Sequence, residues 1–94
     1  MDIRKIGHYT FNPELKARRL GDVMMVYNPD TAETLELNDT GMEIFGYLSQ
    51  QMPIAEMMSR LAEEYGVEEA EIAGDVAEFI ERMILQGVIE LGED

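Results

Sequence analysis

Residues 22–37 read D-V-M-M-V-Y-N-P-D-T-A-E-T-L-E-L, and their period decides the fold. Val23, Met25 and Tyr27 point one way in an extended chain, Met24 and Val26 the other. Both faces are apolar, which marks a strand that is central or covered on both sides. Asn28-Pro29-Asp30-Thr31 then breaks the strand, because Pro presets φ and Asn and Asp bond their own backbone. Thr34 to Leu37 alternates again, with Leu35 and Leu37 inward and Thr34 and Glu36 outward. The stretch is a β-hairpin. Upstream, Gly21-Asp22 is a turn signal, and Ala17–Leu20 supplies a third strand.

Downstream the period changes from two to 3.6. Thr40-Gly41-Met42-Glu43 fits a capping box with Thr40 as N-cap, and Asn38 is a rival cap two residues earlier. The first helix carries Met42, Phe45 and Leu48 on one stripe with Ile44 beside it, and ends at Ser49-Gln50-Gln51. Pro53 suits the start of a second helix. Its apolar residues, Ile54, Met57, Met58, Leu61, Ala62 and Tyr65, recur at full amphipathic spacing. Gly66 stops it. Glu68, Glu69 and Glu71 load the first turn of a third helix, where the macrodipole favours acids. Its stripe is Ile72, Val76, Phe79, Ile80, Met83 and Ile84. Gly87 ends it, and Val88–Leu91 is a short last strand.

The order β-β-β-α-α-α-β predicts an α+β fold: a three-stranded antiparallel β-sheet followed by a three-helix winged helix-turn-helix. Residues 1–15 have no sustained period and read as an N-terminal arm, either mobile or packed as an extra strand. Residues 16–94 form the single domain, and 94 residues leave no room for a second.

Composition narrows the function. Seven Lys and Arg stand against 20 Asp and Glu, a net charge of −13. Residues 1–38 hold five of the cations against six acids, whereas residues 39–94 hold only Arg60 and Arg82 against fourteen acids. A solvated helical surface accounts for that run, and the same field favours a basic partner while repelling nucleic acid and anionic membrane. The third helix, as a recognition helix, would present Glu71, Asp75, Glu78 and Glu81 to phosphates, with Arg82 alone opposing them. Cysteine is absent, which excludes disulfides and thiolate sites. No apolar run reaches a membrane span and no signal peptide opens the chain, so a cytoplasmic protein is expected.

No catalytic constellation is present. His8 lies in the arm without a partner, the glutamates sit at helix ends, and neither a calcium loop nor a glycine-rich phosphate loop occurs. No metal or cofactor is expected. Two features remain. If Thr34–Leu37 is a sheet edge, it is a template onto which a peptide can add as a strand. Gly74 inside a helical run reads as close packing on a neighbour or as a shallow spot for a ligand backbone. The eight methionines are adaptable core residues, several of them on helix stripes.

From about Arg18 to Leu91 the sequence resembles the PqqD family and the wider group of recognition elements for ribosomally made, post-translationally modified peptides (RiPPs). The residues that carry the resemblance are Asn28-Pro29-Asp30, Leu37-Asn38, Thr40-Gly41 and Ile44, then Ile54, Met57, Leu61 and Tyr65, then Asp75-Val76, Phe79 and Gly87-Val88-Ile89. Departures are Ser49-Gln50-Gln51, where an Asp-Gly turn is common, and Pro53, where Ser or Thr often caps. The resemblance implies a non-catalytic chaperone. It would bind the leader segment of a precursor peptide by β-strand addition and present it to a modifying enzyme, often a radical S-adenosylmethionine protein, in pyrroloquinoline quinone (PQQ) or other RiPP biosynthesis. By position, the strand is Glu33, Thr34, Leu35, Glu36 and Leu37, with backbone of Thr34, Leu35 and Glu36 pairing. The helix runs from Ile72 to Met83, with Val76, Phe79 and Met83 as an apolar floor and Asp75 and Arg82 at its rim. The alternative is a winged-helix module for protein–protein or regulatory contacts. A monomer and an arm-swapped dimer are both compatible with the chain.

Overall fold

The computed structural model describes residues 3–92, the Arg4 side chain excepted. A 3₁₀ turn, Ile3–Lys5, precedes strand β1 (Tyr9–Phe11). Strands β2 (Lys16–Leu20), β3 (Val23–Asn28) and β4 (Glu33–Leu37) follow, then helices α1 (Asp39–Ser49), α2 (Ile54–Tyr65) and α3 (Glu69–Leu85), and finally β5 (Ile89–Leu91). The α+β class and the antiparallel β2-β3-β4 sheet are as the sequence predicts. The last strand forms its own two-stranded sheet with β1, Thr10 opposite Glu90.

Residues 3–15 are part of this body. Ile3 and Tyr9 are buried in the same core cluster as the helices. The Tyr9 hydroxyl donates to the Met52 carbonyl at 2.6 Å. Burial pushes that phenol up to about 12. Phe11 meets the Phe45 ring edge-on with centroids 5.4 Å apart.

The core lies between one face of the sheet and the helices. Val26, Leu35 and Leu37 come from the sheet. Phe45 and Leu48 of α1, Met57, Met58 and Leu61 of α2, and Ile80 and Met83 of α3 meet them. The shortest dimension of the molecule is 19 Å, room for one sheet and one helix layer at the usual spacing of about 10 Å. The central strand is therefore covered on one face only. Tyr27 on the other face is 40% exposed, where the sequence allowed for cover on both sides.

Two local expectations are corrected. The N-cap of α1 is Asn38, not Thr40: its Oδ1 accepts from the Gly41 N–H at 3.0 Å. Asn is as good a cap as Thr and its side chain reaches the same orphan donors. Gly74 packs against nothing, since a Cβ there would meet open space. The close-packing reading of that glycine therefore fails. The box that the sequence put on α1 is at α3, where the Glu68 N–H donates to the Glu71 carboxylate at 3.0 Å.

One side chain joins the two halves. Asn28 is 4% exposed at the end of β3. Its Nδ2 donates to the Gln86 carbonyl at 2.8 Å, and its Oδ1 accepts from the Asp30 N–H at 2.9 Å. Gly87 adopts φ +74°, and a Cβ there would sit 2.8 Å from the Asn28 amide nitrogen. The hairpin turn is thereby fixed to the end of α3. Asn28→Ala strands a carbonyl and an N–H, and is expected to lower unfolding free energy by about 1–3 kcal/mol in urea melts. Asn28→Asp keeps the turn bond but cannot donate to Gln86, so it too should destabilise. Gly74→Ala, by contrast, should raise stability by up to about 1 kcal/mol in the same melts, with unchanged denaturant slope.

Candidate functional site

The β2-β3-β4 sheet has two open edges. An open edge presents alternate N–H and C=O groups to any extended chain. On β2 that edge is blunted: all five residues are exposed and Lys16, Arg18 and Arg19 line it. On β4 it is not, because Glu33–Leu37 turns its free side toward the space in front of α3.

That space holds two adjoining hollows. One, of about 270 Å³, lies between β4 and α3 and is walled by Glu36, Leu37, Phe79 and Arg82. The other, of about 420 Å³, continues past Phe79 among the helices. There α3 contributes Ile72, Asp75 and Val76, α1 contributes Gly41 and Ile44, and α2 contributes Leu61 and Tyr65. Phe79 and Asn38 border both hollows. The Phe79 ring is only partly buried, and its Cε2 would lie 3.1 Å from a Cβ on Gly41. Glycine at the first turn of α1 thus leaves room for the ring to come this close to that helix.

The rim is acidic and built of linked side chains. Glu43 accepts from the Tyr65 hydroxyl at 2.9 Å and from the Tyr47 hydroxyl at 3.3 Å. The Glu64 carboxyl is held above its ordinary range by its hydrogen bond with Glu43, then by burial and by the Glu43 charge. Tyr47 is raised by burial first and by Glu43 second. For Tyr65, contact with Thr40 pulls the phenol down, but Glu43, burial and Glu64 together outweigh it. These groups shape a negative rim. No cluster of His, Asp and Glu suited to a metal ion occurs among the described residues.

The residues singled out in the sequence divide. Glu36, Leu37, Phe79 and Arg82 come together in the first hollow, and Ile72, Asp75, Val76 and Phe79 in the second. Glu33 and Thr34 are exposed on β4 beyond either hollow, while the Leu35 side chain turns into the core. Met83 is fully buried and borders neither hollow, so of the three floor residues Phe79 is the one that remains accessible. Sequence reading passed over Asn38, Gly41, Ile44, Leu61 and Tyr65 as wall residues. A glycine one turn from an N-cap was the available signal, since helix interiors otherwise disfavour it.

A larger hollow, about 670 Å³, lies between the β1–β5 sheet and the hairpin turn. Its asparagines are already committed, Asn12 Nδ2 to the Gly87 carbonyl and Asn28 Nδ2 to Gln86.

Comparison with known proteins follows this geometry. No curated protein sequence matches the chain. The solved structure titled "TbiB1 in Complex with the TbiA(beta) Leader Peptide" has the same fold, with a TM-score of 0.78 over 90% of this chain and 99% of that one, at 16% identity. The family described as "Coenzyme PQQ synthesis protein D (PqqD)" matches residues 24–89. That span runs from within β3 to the first residue of β5 and contains β4, α1, α2 and α3, so it holds every element of the groove. On that match the chain belongs to the PqqD family.

Proposed function

We propose that this protein is a non-catalytic binder of the leader segment of a ribosomally made precursor peptide. The leader adds as an antiparallel strand to β4 and lays alternate side chains into the groove before α3. The observation that carries the reading is the open edge of β4 beside a partly buried aromatic, Phe79, with hollows on both sides of it. Family membership and the fold shared with a leader-peptide complex support it. Main-chain bonds supply affinity that is tolerant of sequence, and the hollows select side chains. The acidic rim favours a basic residue nearby. In this reading α2 and α3 are a helix-turn-helix, with β1 and β5 as its wing, used for peptide rather than DNA, since α3 exposes Glu71, Asp75, Glu78 and Glu81.

The domain works in the cytoplasm, as a monomer or an arm-swapped dimer, and holds the leader while a separate enzyme, such as a radical S-adenosylmethionine protein, modifies the rest of the peptide. The pathway is PQQ synthesis or that of another modified peptide.

The test is calorimetric titration with a synthetic N-terminal segment of the short peptide encoded beside the gene. Leaders N-methylated at every second amide should lose binding in one parity and keep it in the other, because only one set of amides faces β4. Equal affinity for both parities would exclude strand addition. Phe79→Ala should weaken the unmodified leader by about tenfold or more. Gly41→Ala, which forces the same ring to shift, should weaken it less, with native chemical-shift dispersion retained. Unchanged affinity in both variants would remove Phe79 from the site.

A further inference from the structure

The face of the sheet turned away from the helices has no part in the proposed function. The register sets Arg18, Met25 and Glu36 side by side across the three strands. Lys16, Tyr27 and Thr34 form the next row, and Leu20 faces Val23 at the other end. Side chains alternate along a strand, so these rows lie opposite the buried Val26, Leu35 and Leu37. Leu20 is 49% and Tyr27 40% exposed, and Met25 and Val23 are half-buried between them. Strands that are apolar on both faces are those that are covered on both faces. Here one cover is missing.

Its charge is also exceptional. Lys16 and Arg18 flank the apolar row, in a chain with seven cations and a net charge of −13. The surface is thus apolar at its centre and basic along β2, whereas the helices are acidic.

We infer that this outward sheet face is where the modifying enzyme docks, through a partner patch that is apolar at its centre and acidic where it meets β2. The inference rests on the leader-binding reading and adds the enzyme's place to it. Thr34 and Glu36 belong both to this face and to the strand that receives the leader. A leader laid on β4 therefore extends the face by one strand, and every second leader side chain joins its rows. The enzyme then touches domain and leader together, so each strengthens the binding of the other. A second copy of the chain is the poorer occupant. It brings another net charge of −13 against a short apolar row, and a contact between one copy's β2 and another's acidic helices is heterologous, so it is not the self-complementary contact of a two-fold dimer.

The experiment uses the full chain, its leader segment, and the peptide-modifying enzyme encoded beside the gene, with leader affinity measured first. Absence of leader binding to the wild-type chain would sink the leader-binding reading itself. Given leader binding, the double variant Lys16→Glu/Arg18→Glu should weaken enzyme binding at least tenfold and leave leader affinity unchanged. Tyr27→Ser should act in the same direction, and leader should raise the wild type's affinity for the enzyme. Undiminished enzyme binding in both variants, or none to the wild type, overturns the inference while leader recognition stands. Parallel loss of leader and enzyme binding also overturns it, because the effect would then lie in the sheet as a whole. So does a wild-type dimer in sedimentation that the double variant abolishes, since that gives the face to a second copy.

Discussion

The Asn28 side chain is the point on which the arrangement turns. It is the buried polar residue at the junction of hairpin and helix layer, and it bonds both the turn that follows β3 and the carbonyl of Gln86, the residue that caps the C-terminus of α3. A strand and a helix packed only through apolar contacts can slide, because dispersion and burial carry little direction. Two hydrogen bonds from one rigid amide, with Gly87 leaving no room for any side chain but none, remove that freedom. The distance between β4 and α3 follows from this anchor. The groove beside Phe79 opens between the same two elements.

From the same constraint follows a division of surfaces. The helices that close the core carry ten of the chain's 20 acids, and Glu43 of α1, Tyr65 of α2 and Asp75 of α3 lie about the groove. Three of the seven cations, Lys16, Arg18 and Arg19, sit together on β2, at the sheet edge opposite β4. This distribution gives the two sheet edges different fates. The edge at β2 is charged and discourages strand pairing, while the edge at β4 is short, open and backed by an aromatic. On the proposed reading, a leader strand has one place to add, and the outward sheet face, oppositely charged, is left for the enzyme.

Much of this is legible in the sequence where the signal is local. The alternation in residues 22–37, the amphipathic spacing from Ile54 to Tyr65 and the stop at Gly66 each fix an element within a residue or two of where it lies. What escapes is long-range or degenerate. The short strand after Gly87 is legible, but its pairing with β1 is not, since both have three residues and meet across almost the whole chain. Three residues carry no period, and nothing in Tyr9–Phe11 names Ile89–Leu91 as its partner. The cap of α1 escaped because Asn38 and Thr40 are both competent caps, and the choice depends on where Leu37 leaves the sheet. In the groove, the α3 stripe told which residues are apolar but not how deep each goes: Met83 sank fully into the core and Phe79 stayed at its surface. Gly41 matters only because of a ring 38 positions away, a relation that no local pattern encodes.

The central claim is that a leader segment becomes a fourth strand of the β2-β3-β4 sheet, lying between β4 and α3. The measurement that tests it most directly is a ¹⁵N-resolved NMR titration of this chain with that segment, followed by cross-strand nuclear Overhauser contacts in the saturated complex. The account predicts shift changes concentrated in residues 33–37 and 72–83, with leader backbone protons close to those of Thr34, Leu35 and Glu36 in antiparallel register. Saturable binding whose shifts and contacts fall instead on the β1–β5 sheet or the hairpin turn would contradict it.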